Sequence, residues 1–207
     1  MCDRVASATD APLQLAAEQL IAAGARLHQQ GMVPATSGNF SIRLADGRIA
    51  MTVSGRHKGA LTRADIMSLS AAGVPLDAQQ PSAECGLHLQ IYRHDPAAAA
   101  ILHPHSPAAT VISRQRQGEL QLTGYELLKA LPGISSHTAT VTIPIFDNDQ
   151  DIPRLAARVA DWMANHDPTP AYLIAGHGFY TWGANIDAAL RQVEALEFLF
   201  DCELRLQ

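Results

Sequence analysis

The sequence predicts an α/β fold in which helices pack on a mixed β-sheet. Alternating apolar and polar residues on either side of a tight turn predict a β-hairpin in the first third of the chain. Further along, short apolar strands alternate with amphipathic helices, and the combination implies a mixed sheet covered by helices. No long linker rich in Pro, Gly or Ser divides the chain, so we expect one domain spanning residues 1–207.

Each element is predicted from its periodicity and its ends. Asp10 and Pro12 are typical of a helix cap and first turn, apolar residues then recur at helical spacing, and Gly31 ends the run. The hairpin follows, with Asp46-Gly47 as its turn. The remaining predicted elements are strands at 40–44 and 49–53, a helix at 83–94, a strand at 98–102, a helix at 106–114, a strand at 141–145, a helix at 151–165, strands at 171–175 and 179–182, and a closing helix from 186 to 204.

Composition excludes several classes of protein. Hydrophobic residues make up 47% of the 207 residues and charged residues 17%, which is enough apolar material for a large core. The net charge of -5 argues against a nucleic-acid partner, and no apolar run approaches the ~20 residues that span a bilayer. The odd set Cys2, Cys85 and Cys202 fits a reducing compartment, and Met1–Arg4 lack the apolar stretch of a secretory leader. We therefore expect a cytoplasmic protein with no membrane partner.

Three histidines have the spacing of metal ligands. His103 and His105 flank Pro104 after an apolar strand, so their side chains project to the same side of an extended chain about 7 Å apart. His177 stands between two glycines and two predicted strands. Each feature alone is also typical of an ordinary turn, but together they predict a three-nitrogen site with an open position. Imidazole ligands favour Zn²⁺ over Mg²⁺ or Ca²⁺, and we expect one zinc ion per subunit. Most of the other six histidines are expected to be surface or helix residues.

Two acidic residues and one thiol begin predicted helices. Glu84 in Pro81-Ser82-Ala83-Glu84 fits helix capping, and Glu126 fits a favourable interaction with a helix dipole. If both carboxylates border a metal, they become candidates for proton transfer. Cys85 fits a small buried residue as well as a functional one.

Two loops rich in small residues resemble an anion cradle. The first is 36–39 and the second 54–59, and each alone is ordinary turn chemistry. Together they would offer backbone N–H groups and hydroxyls to a phosphate, with Lys58 or Arg56 supplying the positive charge. The cradle residues are Ser37, Gly38, Asn39, Ser54, Gly55 and Lys58. Neither loop has the pattern of a nucleotide-hydrolysing phosphate loop.

The order of these motifs resembles the class II aldolase family. The motifs that carry the resemblance are Ser37-Gly38-Asn39, Ser54-Gly55, Pro81-Ser82-x-Glu84, His103-x-His105 and Gly176-His177-Gly178. The resemblance covers nearly the whole chain. It implies a three-layer α/β/α fold with a mixed central sheet, zinc bound by the three histidines, and a ring-like homotetramer.

Further segments are similar to one branch of that family, which dehydrates a methylthio-substituted ketopentose phosphate in methionine salvage. They are Ser54-Gly55-x-x-Lys58-Gly59, Gly124-Tyr125-Glu126, 144–152, 177–183 and 194–200. This resemblance implies a phosphorylated ketose substrate, an acid/base role for Glu126 and a substrate-lining Cys85. Glu84 matches the catalytic glutamate of the family's aldolases, so the roles of the two carboxylates stay open.

The sequence departs from the family pattern at two positions, and one of them helps to distinguish a dehydratase from the family's aldolases. Pro104 replaces the usual Thr or Asn between the first two histidines, which stiffens the loop without removing a ligand. Ala83 stands where sugar-phosphate aldolases of the family carry a second phosphate-binding serine. The alternatives are a class II sugar-phosphate aldolase, a pentulose-phosphate 4-epimerase, and an interaction module without catalysis. The presence of all three histidines and both glutamates argues against the last.

Overall fold

A computed structural model of the protein describes residues 10–206. Within that range there are five α-helices: α1 (Ala11–Gln29), α2 (Cys85–His94), α3 (Pro107–Gln115), α4 (Ile152–Asn165) and α5 (Ile186–Arg205). The eight strands there are β1 (Asn39–Arg43), β2 (Ile49–Thr52), β3 (Ile66–Leu69), β4 (Ala100–His103), β5 (Glu119–Leu122), β6 (Val141–Phe146), β7 (Ala171–Ile174) and β8 (Gly178–Gly183). Cys2 and the residues considered for a leader, Met1–Arg4, lie outside the described range.

All eight strands form one mixed sheet in the order β3-β2-β1-β4-β8-β7-β6-β5. The pair β6–β7 is parallel, and every other neighbouring pair is antiparallel. Alternate strand residues enter two separate hydrophobic clusters: Leu102 packs with α1, α3 and α5, and Ile101 packs with α2 and α4. Helices therefore cover both faces of the sheet, and the predicted α/β/α fold is confirmed.

The predicted elements occur within two residues of their predicted ends, but two strands were not predicted. Strand β3 has four residues and is buried on both faces, so it lacks the alternation that marks a strand. Strand β5 does alternate between exposed and buried residues, over a length too short to stand out. These two strands are the edges of the sheet.

The centre of the sheet brings distant parts of the chain to one end. Strand β4 pairs antiparallel with β1 on one side and with β8 on the other. In the β1–β4 register, Asn39 lies opposite His103, and the tight turn between β7 and β8 carries His177. Gly38 permits this approach, since it adopts φ +77° and a Cβ there would lie 2.7 Å from the His103 carbonyl oxygen.

No helix within residues 10–206 combines the length and the apolarity needed to cross a bilayer.

Candidate metal centre

The three imidazoles predicted to bind a metal meet at the end of the central strands. His103 ends β4, His105 follows it by two residues, and His177 lies in the β7–β8 turn. The Nε2 atom of His105 is 2.8 Å from that of His103 and 3.1 Å from that of His177. Three nitrogens that converge in this way present their lone pairs to one point.

Glu84 completes the cluster with a carboxylate. Its Oε2 is 3.4 Å from His103 Nε2, and its Oε1 is 3.4 Å from His177 Nε2. One ligand atom from each of the four residues lies within 4.8 Å of every other. Ligand atoms about 2.0–2.1 Å from a tetrahedral ion are about 3.3 Å apart, so the residues present fit a divalent ion. Glu84 occupies the N-cap position of α2, as the capping interpretation predicted, but its side chain makes no capping bond and turns to the histidines instead.

Hydrogen bonds at the opposite nitrogens orient two of the rings. His103 Nδ1 lies 2.8 Å from the carbonyl oxygen of Phe179, and His177 Nδ1 lies 3.3 Å from Asn148 Oδ1. Both acceptors require a proton on Nδ1, which leaves Nε2 unprotonated and able to bind a metal. The rings are thus held in the tautomer that a ligand needs.

The segment between the first two histidines is fixed by its backbone. The carbonyl oxygen of Pro104 accepts a hydrogen bond from Phe179 N at 3.2 Å, and His105 N donates to the Met32 carbonyl at 2.8 Å. A Cβ at Gly178 would lie only 2.3 Å from the Pro104 carbonyl oxygen. Glycine after His177 is therefore required for the two histidine segments to approach each other.

Burial and mutual contact shift the pKa values of the cluster. Burial lowers the pKa of His105 to about 2 and also lowers the pKa of His177, so both rings are neutral at physiological pH. Burial alone would raise the pKa of Glu84, but His103, His177 and the Asn39 amide bring it well below its usual range. The site thus places the neutral imidazoles of His105 and His177, which suit a divalent cation, beside an ionised carboxylate.

The two small-residue loops line a cavity beside this cluster. The cavity has a volume of about 200 Å³, and Glu84 and His105 form part of its wall. Ser37 Oγ is buried there without a hydrogen-bond partner among residues 10–206. All six predicted cradle residues line this cavity: Ser37, Gly38, Asn39, Ser54, Gly55 and Lys58.

Lys58 supplies the buried positive charge of the cavity. Its side chain is fully buried, and Nζ donates to the carbonyl oxygens of Thr36 at 3.0 Å and Arg56 at 2.7 Å. No carboxylate within residues 10–206 pairs with it, and burial lowers its pKa to about 8. The Arg56 side chain is instead 57% exposed and pairs with Asp65. Of the two predicted cations, Lys58 is the one that faces the cavity.

Two predicted site residues lie outside the cluster. The Glu126 side chain is 76% exposed, is bonded to Lys129, and begins the short 3₁₀ segment Glu126–Ala130 that packs against α5. Cys85 begins α2 and is buried in the hydrophobic cluster that α2 and α4 share, where burial raises the pKa of its thiol to about 11. Within one chain, neither residue lines the cavity beside the histidines.

His88 is a buried polar residue at the site that sequence reasoning did not single out. It lies on helix α2, as expected for most of the remaining histidines, but its ring is completely buried between Ser41 and Asn39. A signal was present in the sequence: His88 follows Glu84 by four residues, and residues at that spacing share one helix face.

Residues 18–204 match the sequence profile of a protein family described as class II aldolase and adducin N-terminal domain. The chain belongs to this family. Among its relatives is the methylthioribulose-1-phosphate dehydratase of Methylococcus capsulatus, 57% identical over 95% of this chain and 97% of the relative. The protein of the same name from Pseudomonas aeruginosa is 52% identical over 91% of this chain and 93% of its own.

Solved structures share the fold. YgbL from Escherichia coli superposes with a TM-score of 0.82 at 24% identity, covering 96% of this chain and 92% of its own. The L-fuculose-1-phosphate aldolase from Thermus thermophilus superposes with a TM-score of 0.73 at 25% identity, covering 94% of each chain.

Proposed function

We propose that the protein is a zinc-dependent methylthioribulose-1-phosphate dehydratase of methionine salvage. It converts 5-methylthioribulose 1-phosphate to 5-methylthio-2,3-dioxopentyl phosphate and water. The observation that carries this proposal is the cluster of three histidine Nε2 atoms and the Glu84 carboxylate beside a cavity with a buried, unpaired lysine. The close similarity to dehydratases over nearly the whole chain supports the choice of substrate.

The reaction needs one proton removed and one hydroxyl expelled. His103, His105 and His177 would hold the zinc ion, which supplies a Lewis acid that polarises the C2 ketone and stabilises developing negative charge. Loss of the C3 proton to a carboxylate places an electron pair at C3, and its collapse expels the C4 hydroxyl, which leaves as water after taking up a proton. The enol that results becomes the diketone. Glu84 lies beside the histidines and is positioned to accept or return a proton.

The phosphate of the substrate fits the cavity beside the cluster. Lys58 Nζ has a third N–H in addition to the two that reach backbone carbonyls, and Ser37 Oγ is free to donate. Phosphate oxygens accept bonds from both groups and from the backbone N–H groups of the two loops. Asn39 has a different role here, because its amide is bonded to Glu84 and His88.

Glu126 can act in this reaction only from a neighbouring subunit. We propose a homotetramer of cytoplasmic single-domain chains, in which Glu126 of one subunit approaches the zinc site of the next and Cys85, which follows Glu84 in the chain, borders the bound substrate. Exposed apolar side chains on three segments that pack together support an interface near Glu126. They are Val111 on α3, Leu127 beside Glu126, and Phe198 on α5.

An aldolase or a 4-epimerase acting on a ketose phosphate would begin in the same way, with a metal ion that polarises the ketone. The reactions differ in whether a C–C bond or a C–O bond breaks. Turnover of methylthioribulose, fuculose and ribulose phosphates should be measured side by side, with and without a chelator. Metal-dependent conversion of the first substrate alone is expected, and cleavage of fuculose phosphate in its place would contradict the proposal.

A further inference from the structure

A continuous line of buried hydrogen bonds ends on the Glu84 carboxylate. Tyr92 Oη is 2.9 Å from Ser41 Oγ, which is 2.7 Å from His88 Nδ1. His88 Nε2 is 2.5 Å from Asn39 Oδ1, and Asn39 Nδ2 is 2.7 Å from Glu84 Oε2. The side chains of Ser41, His88 and Asn39 are buried, so no solvent competes for these bonds.

The bond between Asn39 and Glu84 determines which group is the donor in every other hydrogen bond of the line. An ionised carboxylate only accepts, so the Asn39 atom facing Glu84 is its nitrogen and the atom facing His88 is its oxygen. His88 must then carry its proton on Nε2 and accept at Nδ1 from the Ser41 hydroxyl. Ser41 has one hydroxyl proton, so it accepts from the Tyr92 hydroxyl. All four donors therefore point toward Glu84.

A chain of donors aligned in one direction polarises each successive bond and restricts each side chain to one rotamer. The ring of His88 is completely buried, and burial lowers its pKa to about 3, so it stays neutral and fits one donor and one acceptor. A polar group of this kind is costly to bury unless both nitrogens are bonded. The arrangement satisfies both nitrogens through Ser41 and Asn39.

We propose that His88, in its Nε2–H tautomer, is a positioning residue that acts on Glu84 through Asn39. His88 fixes the plane of the Asn39 amide, and Asn39 holds Glu84 Oε2, which leaves Oε1 directed toward His177 and the substrate. This inference rests on the proposed function, because it assigns Glu84 the proton-transfer role there. It also assigns Asn39 to the carboxylate and not to the phosphate.

A matched pair of substitutions separates this role from simple packing. The amide nitrogen of Gln reaches the ε position of an imidazole, whereas that of Asn reaches only the δ position. His88→Gln can therefore still donate to Asn39, and His88→Asn can interact with Ser41 only. We expect His88→Asn to lower kcat about 10- to 100-fold with KM and zinc content unchanged. His88→Gln should recover most of the lost kcat. Equal loss in both variants, or full kcat in His88→Asn, would overturn the proposal.

A double-mutant cycle tests the route through Asn39. In the Asn39→Ala background, His88→Asn should cause no further loss of kcat, because its connection to Glu84 is already broken. Independent, additive losses would show that His88 acts by another route and would contradict the proposal.

The tautomer can be measured without substrate. Long-range ¹H–¹⁵N correlation spectra of the wild-type protein, labelled on its histidines, are expected to show His88 protonated at Nε2. A proton on Nδ1 would overturn the inference even if the variants fail to fold. Because this spectrum needs no turnover, failure of the inference is distinct from failure of wild-type protein to convert methylthioribulose 1-phosphate, which would contradict the proposed function.

Discussion

The ring of Tyr180 lies flat against the imidazole of His103, with the two centroids 3.9 Å apart and the planes within 8° of parallel. The Phe179 carbonyl holds Nδ1 of the same imidazole. Residues 179 and 180 are neighbours in β8, so one strand fixes both the rotation and the tautomer of this ring. His103 is therefore oriented for a metal by the sheet itself, before any ion binds.

Removal of a ligand should remove the metal and the activity together. His103→Ala deletes one of three nitrogen donors, and we expect the purified variant to contain less than stoichiometric zinc and to have no measurable turnover. Elemental analysis and a turnover assay on the same sample check this. His94→Ala, which changes an exposed histidine at the end of α2, is the control and should retain both. A fully active, zinc-free His103→Ala protein would exclude the metal site.

Substitution of either glutamate by glutamine should lower turnover if that residue transfers a proton. Glu84→Gln keeps the shape of the side chain and loses its basicity, and we expect full zinc content with kcat lower by ~10²–10⁴-fold. Glu126→Gln should show a loss of the same order if Glu126 reaches the site of a neighbouring subunit. Steady-state kinetics at fixed zinc content measure both. A near-normal kcat in either variant removes that residue from proton transfer.

Mixed oligomers test whether Glu126 acts between subunits. Glu126→Gln subunits retain the histidines, and His103→Ala subunits retain Glu126, so a hybrid oligomer contains some complete sites. Unfolding and refolding the two inactive proteins together should restore part of the activity. Each protein refolded alone is the control. If the mixture stays inactive while native mass spectrometry, with one of the two proteins ¹⁵N-labelled, shows hybrid tetramers, Glu126 does not act across an interface.

Substrate affinity should weaken as Lys58 loses its proton. Burial lowers the pKa of Lys58 to about 8, so its ammonium is present below that pH and lost above it. A phosphate monoester has its second pKa at about 6, so the substrate charge stays constant above pH ~7. We expect KM to rise as pH increases through about 8 and Lys58→Met to raise KM roughly 10- to 100-fold. The pH step should be absent from Lys58→Met, and a wild-type KM that is flat with pH would contradict the assignment.

Gly38 should be more sensitive to substitution than a glycine of similar conformation. Gly38 and Gly47 both have positive φ, but a Cβ at Gly38 would meet the His103 carbonyl oxygen at 2.7 Å, and one at Gly47 would meet nothing within 4 Å. Gly47→Ala should lower the free energy of unfolding by about 1–2 kcal/mol. Gly38→Ala should lower it further and also weaken zinc binding. Urea denaturation and metal titration measure the two effects, and equal behaviour of the two variants would contradict the close approach.

Local patterns in the sequence predicted most of the fold, because caps and periodicity record the environment of each segment. Asp10 does cap α1, accepting a backbone hydrogen bond from Leu13, and the helix predicted at 151–165 is α4, with Asp151 as its cap. The edge strands β3 and β5 were not predicted, because Ser68 interrupts the apolar residues of β3, and Glu119 and Gln121 interrupt those of β5, whereas β7, of the same length, is apolar throughout. The strand order could not be predicted either, since pairing between β4 and β8 joins segments far apart in the chain.

The candidate site was predictable to the extent that its residues occur in recognisable local motifs. The His103-Pro104-His105 and Gly176-His177-Gly178 patterns identified three histidines that the structure brings together. The spacing of His88 from Glu84 indicates a shared helix face, but the bond between His88 and Asn39 could not be predicted, because it depends on a contact between α2 and β1 that no local pattern records. The exposed position of Glu126 depends on packing against α5 for the same reason.

The peptide unit at Pro104 has a consequence for how this sequence can change. Its carbonyl oxygen bonds to Phe179 N and excludes a side chain at Gly178, whereas its pyrrolidine ring replaces an N–H group between the two histidines. What the structure requires at position 104 is therefore the path of the main chain. Other residues that can adopt the same backbone conformation should be tolerated at position 104, whereas position 178 should accept only glycine.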